Sequence, residues 1–121
     1  MFDSAQLLHY ISIGFVVGIN SVGVGIGEGL TCVAALNAIN IQPSAQNAIS
    51  KMAIIGTALI ETSAVLGLFL AIILLQSAPP TGLPLYTYIA EAGCAIAVGF
   101  SGFVVGIVSA WPPEQACYSI A

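Results

Sequence analysis

Three apolar runs, 7–39, 49–75 and 85–111, dominate this chain of 121 residues, and each exceeds the ~20 residues that span the hydrocarbon of a bilayer. In lipid every backbone N–H and C=O must be satisfied within the protein, so spanning runs of this length are helices. The fold expected is therefore all-α: a transmembrane helical hairpin over 1–78, a linker over 79–84, and a third transmembrane helix over 85–121. Two breaks separate the runs, NIQPSAQN around Pro43 and the Pro/Gly-rich QSAPPTGLP. Charged residues make up 5% of the chain, against roughly 25% in soluble domains, which fits an integral membrane protein of one domain. Without a basic patch, nucleic acid is excluded as a partner. No signal peptide is visible in MFDSAQ, which carries Asp3 where a basic start is usual. The one cation, Lys51, lies beside the first turn and assigns that turn to the cytoplasmic side.

Glycine crowds the first run at Gly14, Gly18, Gly23, Gly25, Gly27 and Gly29. The alternating four do not make a phosphate loop, since neither the flanking strand nor the closing Lys-Ser/Thr is there. In membrane helices small residues let backbones approach closely. Alternate glycines cover both sides of a helix, so this helix expects close neighbours on two sides, as in a tightly packed ring. The third run repeats the first at a shift of 81 residues: Val17-Gly18 meets Val98-Gly99, and Val24-Gly25-Ile26 meets Val105-Gly106-Ile107. Gly99, Gly102 and Gly106 are then helix-packing positions like Gly18, Gly23, Gly25, Gly27 and Gly29. In the same register Glu28 meets Ser109, so the second copy lacks that acid.

Glu61 stands inside IIGTALIETSAVLGLFLAIILL, followed by Thr62 and Ser63. A carboxylate at the bilayer centre costs about 3 kcal/mol on insertion scales and must be neutralised or paired. Folding a hairpin at the turn brings Glu28 level with Glu61, each ~16 residues or about 25 Å from the turn. Two acids at one depth either hydrogen-bond their neighbours or hold an ion. An ion site is the reading adopted, because carboxylate, hydroxyl and carbonyl oxygens suit hard cations, and paired acids share a proton or a cation. The other polar residues carry no such constellation. Cys32, Cys94 and Cys117 are scattered in apolar surroundings and read as small buried side chains. His9 and Glu91 read as interfacial, and Glu114 follows Trp111-Pro112-Pro113, where the double proline ends or kinks the third helix.

These features resemble the rotor-ring proteolipid, or c-subunit, of rotary F-type ATP synthases over about residues 10–76. The matching parts are a Gly-rich inner helix, a polar turn with Gln42-Pro43, and an outer helix whose acid, Glu61, lies 19 residues beyond Gln42. The ETS string and the inner-helix Glu28 are similar to the sodium-type, two-carboxylate variant. The resemblance implies Na⁺ bound at Glu61, Glu28 and Thr62, with the Leu59 carbonyl as a further ligand and Ser63 holding a water; H⁺ is the alternative cargo. It also implies a homo-oligomeric or mixed proteolipid ring in lipid, turning against the stator a-subunit and docking central-stalk subunits at Gln42 and Pro43. Such a proteolipid translocates ions without being the catalytic part of the enzyme, and a bacterial inner membrane suits it better than an organelle.

Three departures stand out. Ile41 replaces the family's Arg before Gln-Pro, Leu66 replaces a Tyr that locks the carboxylate in many sodium rings, and the chain continues past the second helix. That continuation resembles the inner helix of a second, incomplete hairpin, ending in EQACYSIA, which is similar to the stretch before the family's turn. Alternative readings are a small multidrug-type secondary transporter, which needs neither the glycine ladder nor the second acid, and a vacuolar-type ATPase proteolipid.

Overall fold

A computed structural model describes residues 4–77 and 84–121. They form α1 (Ser4–Ile41), a 3-10 turn (Pro43–Ala45), α2 (Gln46–Gln76), α3 (Leu85–Val108) and α4 (Trp111–Ile120), with no strand among the described residues. Three stretches, Ser4–Ile41, Pro43–Gln76 and Leu85–Ile120, are long and apolar enough to cross a membrane. The linker expected over 79–84 lies outside the described residues except for Pro84, as does Asp3.

The hairpin turns where the sequence forces it. Pro43 disfavours helical backbone in the residue before it, and Gln42 accordingly sits at φ −134°, ψ 82°. The Gln42 amide still donates to Ala38 O at 3.0 Å, so α1 closes its last turn before the chain reverses. Ile41, Gln42, Pro43 and Ser44 are all exposed at this end.

At the proline pair, α3 ends at Val108 rather than near Trp111, and Pro112 and Pro113 start a new helix instead of terminating the old one. Neither proline has an N–H to lose in a first turn, and their fixed φ suits it. Ser109 and Ala110 keep right-handed helical angles, and Glu114 N donates to Ala110 O at 3.0 Å, so the break is a kink. Pro113 then fills the notch at Gly56 of α2, where an added Cβ would collide with its ring.

α3 packs along α1 in the same direction. Gly99 lies against the Phe15–Val16 backbone, Gly106 against Gly23 and Val24, and Gly27 against the Gly106 carbonyl. Further along, Asn37 Nδ2 donates to Tyr118 Oη at 3.5 Å across 81 residues, the same offset as the sequence repeat. Three layers of core stack through the bundle: Ile13, Val16, Ala71 and Ala95 at one end, Val24, Ile60 and Ala110 in the middle, and Ala35, Ala38, Ile49 and Cys117 toward the turn. Each joins α1 and α2 to the C-terminal part of the chain. Alanine and glycine dominate these contacts because dispersion between closely approached backbones, not expulsion of water, holds membrane helices together.

Candidate ion-binding site

Glu28 of α1 and Glu61 of α2 stand side by side on one cavity. It holds about 390 Å³ and is lined also by Val17, Ser21, Val24, Gly25, Ala64, Val65 and Leu68. Antiparallel helices folded at a short turn place equal sequence distances at equal heights, which is why residues 28 and 61 meet. Glu28 is half-buried and Glu61 exposed on the isolated chain, so the pair lies in a groove open on one side. That side is turned away from α3, which rests on the Gly23/Gly27 face of α1.

Glu61 also lines a second cavity, of about 350 Å³, with Ala58, Thr62, Val65 and Leu66. Glu61 thus shares one cavity with Glu28 and another with Thr62. The Thr62 hydroxyl donates to Leu59 O at 2.6 Å, which brings the hydroxyl and carbonyl oxygens together. With its proton engaged there, Thr62 Oγ1 presents lone pairs outward. Carboxylate, hydroxyl and carbonyl oxygens form a hard donor set of the kind that suits Na⁺. Among the described residues no three His, Cys, Asp or Glu side chains gather into a metal cluster; the acids at this place are two.

Ser63 points elsewhere. Its side chain is buried, its hydroxyl donates to Ile60 O at 3.2 Å, and its carbonyl accepts from Asn20 Nδ2 at 2.7 Å. It lines a different cavity, with Asn20, Ser101 and Gly102. Of the packing glycines, Gly23, Gly27, Gly99, Gly102 and Gly106 meet other helices within the chain, whereas Gly18, Gly25 and Gly29 have nothing within 4 Å of an added Cβ. Gln42 and Pro43 are exposed at the hairpin tip, far along α1 from the acids.

Three features escape sequence reasoning. Ser21 joins the acid cavity from two turns before Glu28, a spacing that signals a shared face. Asn20 is buried at the junction of three helices. His9 and Glu91 pair at 2.6 Å, His9 being 3% exposed; the repeat register, which sets Ala90 opposite His9, is the signal that could have found them.

Known proteins match the same stretch of the chain. A sequence model of the family described as the ATP synthase C-subunit matches residues 11–74, which hold the hairpin turn, most of α1 and α2, and both acids. The chain is 39% identical over 80 residues to ATP synthase c-subunit 2 of Cereibacter sphaeroides, covering 66% of this chain and 96% of that protein. It is 38% identical over 75 residues to the ATP synthase c-subunit of Mesomycoplasma hyopneumoniae, covering 60% and 73%. Against the ATP synthase c-subunit of Bacillus thuringiensis the identity is 29% over 69 residues, covering 57% and 96%. α3 and α4 lie beyond the residues that the family matches.

Proposed function

The chain belongs to the ATP synthase C-subunit family, and from that premise we propose that it is an ion-carrying component of a rotor ring whose cargo is Na⁺, with H⁺ as the alternative. The observation that carries this reading is the meeting of Glu28 and Glu61 in one cavity, with the Thr62 hydroxyl and Leu59 carbonyl beside Glu61.

Charge accounting gives the mechanism. A bare carboxylate cannot travel through lipid, whereas a carboxylate with one monovalent cation is neutral. Two bare acids and one Na⁺ would leave a net negative charge in low dielectric, so Glu28 holds a proton while Glu61 binds Na⁺ with Thr62 Oγ1 and Leu59 O. Loaded, Glu61 passes the lipid; facing the polar path beside the stator a-subunit, it exchanges its ion. Ser63, turned away from the acids, would act on this site only through its carbonyl and its hold on Asn20. The exposed Gln42–Pro43 tip docks the central stalk on the cytoplasmic side of a bacterial inner membrane, with Ile41 making that contact apolar. In the ring, α3 stands beside α1 in the inner layer, and because Ser109 stands where the repeat aligns Glu28, two-acid sites are fewer than inner helices.

Carbodiimide labelling tests the cargo. The reagent attacks a protonated acid, so Na⁺ should protect Glu61, and the Na⁺ concentration needed should fall as pH rises and the competing proton leaves. Should Na⁺ fail to slow labelling at every pH, the sodium assignment is lost and a proton ring remains.

A further inference from the structure

We propose that the junction around Asn20 is a water-binding site, separate from the acid groove, that ties α3 to the hairpin. Asn20 is 1% exposed and sits where α1, α2 and α3 converge. Its Nδ2 donates to Ser63 O at 2.7 Å, while its Oδ1 has no hydrogen-bond partner among the described residues. The amide cannot be reversed to relieve this, because Oδ1 would then face the Ser63 carbonyl, acceptor against acceptor. Glycine flanks it on both sides: a Cβ at Gly67 of α2 or Gly102 of α3 would collide with the amide. Two glycines thus open a slot for one polar side chain in the middle of an apolar bundle.

Beside that slot lies a cavity of about 140 Å³, lined by Asn20, Ser63, Ser101 and Gly102 among apolar side chains. Ser101 Oγ donates to Val98 O at 3.0 Å and Ser63 Oγ to Ile60 O at 3.2 Å, so both hydroxyl protons are engaged and their lone pairs remain. The niche therefore offers the Asn20, Ser63 and Ser101 acceptor oxygens and, as donor, only the second N–H of the Asn20 amide. Its ligand must supply donors or positive charge, and two classes do so, water or a cation. No carboxylate lines the niche, and an uncompensated cation in low dielectric is strongly disfavoured. Water is neutral, donates twice, and needs two to four polar partners in a space above about one probe sphere, conditions met here with room for more than one molecule. One water bridging Asn20 Oδ1 to Ser101 Oγ links α1 directly to α3. The inference does not depend on which ion the ring carries.

Solid-state NMR of the assembled full-length protein, with ¹⁵N-labelled asparagine in bilayers of deuterated lipid, tests it. The Asn20 side-chain amide is identified by the signal lost in Asn20→Leu. At short mixing times, magnetisation should pass from water protons to that amide in the wild type. Ser101→Leu, which fills the niche, should cut the transfer at least ~10-fold, and Ser101→Ala, which leaves it open, should retain it. Absence of transfer in the wild type overturns the proposal, as does undiminished transfer in assembled Ser101→Leu. If Ser101→Leu does not assemble, the wild-type measurement decides alone.

Discussion

Glu61 and Thr62 adjoin in sequence, yet substitution should separate what they do. Glu61→Gln keeps the shape of the side chain and removes its charge, so ion-coupled ATP synthesis and carbodiimide reactivity at this position should both vanish in reconstituted vesicles. At the proposed Na⁺ site, Thr62→Ala would remove one neutral ligand and leave the acid. Na⁺ affinity should fall about tenfold, the equivalent of ~1.4 kcal/mol, while proton binding changes little; the Na⁺ concentration that protects against carbodiimide reads this directly. His9 and Glu91 make a different kind of residue pair, one that joins α1 to α3 at 2.6 Å and is largely shielded from solvent. Removing one partner, as in His9→Ala, strands the other, at a cost of roughly 3 kcal/mol for a buried pair, seen as a lower midpoint of thermal unfolding in detergent. The acids of the candidate site were legible in the sequence because a carboxylate in an apolar run advertises itself, and hairpin arithmetic sets its height. The His9–Glu91 pairing and the burial of Asn20 were not, since a polar residue near a helix end or among small residues has many innocuous explanations until its neighbour is known.

Among the elements, α3 depends on the nearness of its backbone to that of α1. A Cβ on Gly106 would lie 2.7 Å from the Gly23 carbonyl carbon, and backbone cannot yield as a side chain does. At Gly99 the nearest atoms, Phe15 O and Val16 Cα, would be 3.5 Å away, an ordinary contact. Gly106→Ala should therefore destabilise the α1–α3 pair by about 1–3 kcal/mol, the range for overpacking. Gly99→Ala should be near neutral, and the two midpoints compared side by side test the contrast. The number of membrane-length spans, the hairpin at Pro43 and the disturbance at Pro112–Pro113 were all readable from apolar length and proline positions. Whether the prolines would end α3 or start α4 was not, because proline suits a first helical turn as well as it disrupts an interior one. Nor could sequence choose which glycine face of α1 receives α3, as the small residues lie on both.

The whole molecule leaves much apolar surface uncovered, including Leu36, Ile54, Leu66 and Phe69, as a chain meant for lipid or for copies of itself would. Gly18, Gly25 and Gly29 belong to this open surface, with space around each. Gly25→Leu should leave the single chain folded but abolish its higher assembly, so that native mass spectrometry from detergent shows helical monomers where the wild type gives one large species. Stoichiometry then bears on energy. α3 and the kink after it carry Ser109 where the repeat aligns it with Glu28, and α3 takes up circumference next to α1 without adding a second acid pair. If α3 keeps that place in the ring and the ring's ion sites are its Glu28–Glu61 pairs alone, a full turn carries fewer charges than a wheel of the same girth built from such hairpins. Each charge delivers about 2.3 kcal/mol per 100 mV, so torque per revolution drops in proportion at a given membrane voltage. Such a rotor is geared low for making ATP and high for pumping: it would need a steeper gradient to synthesise, and could build a steeper one when ATP drives it backwards.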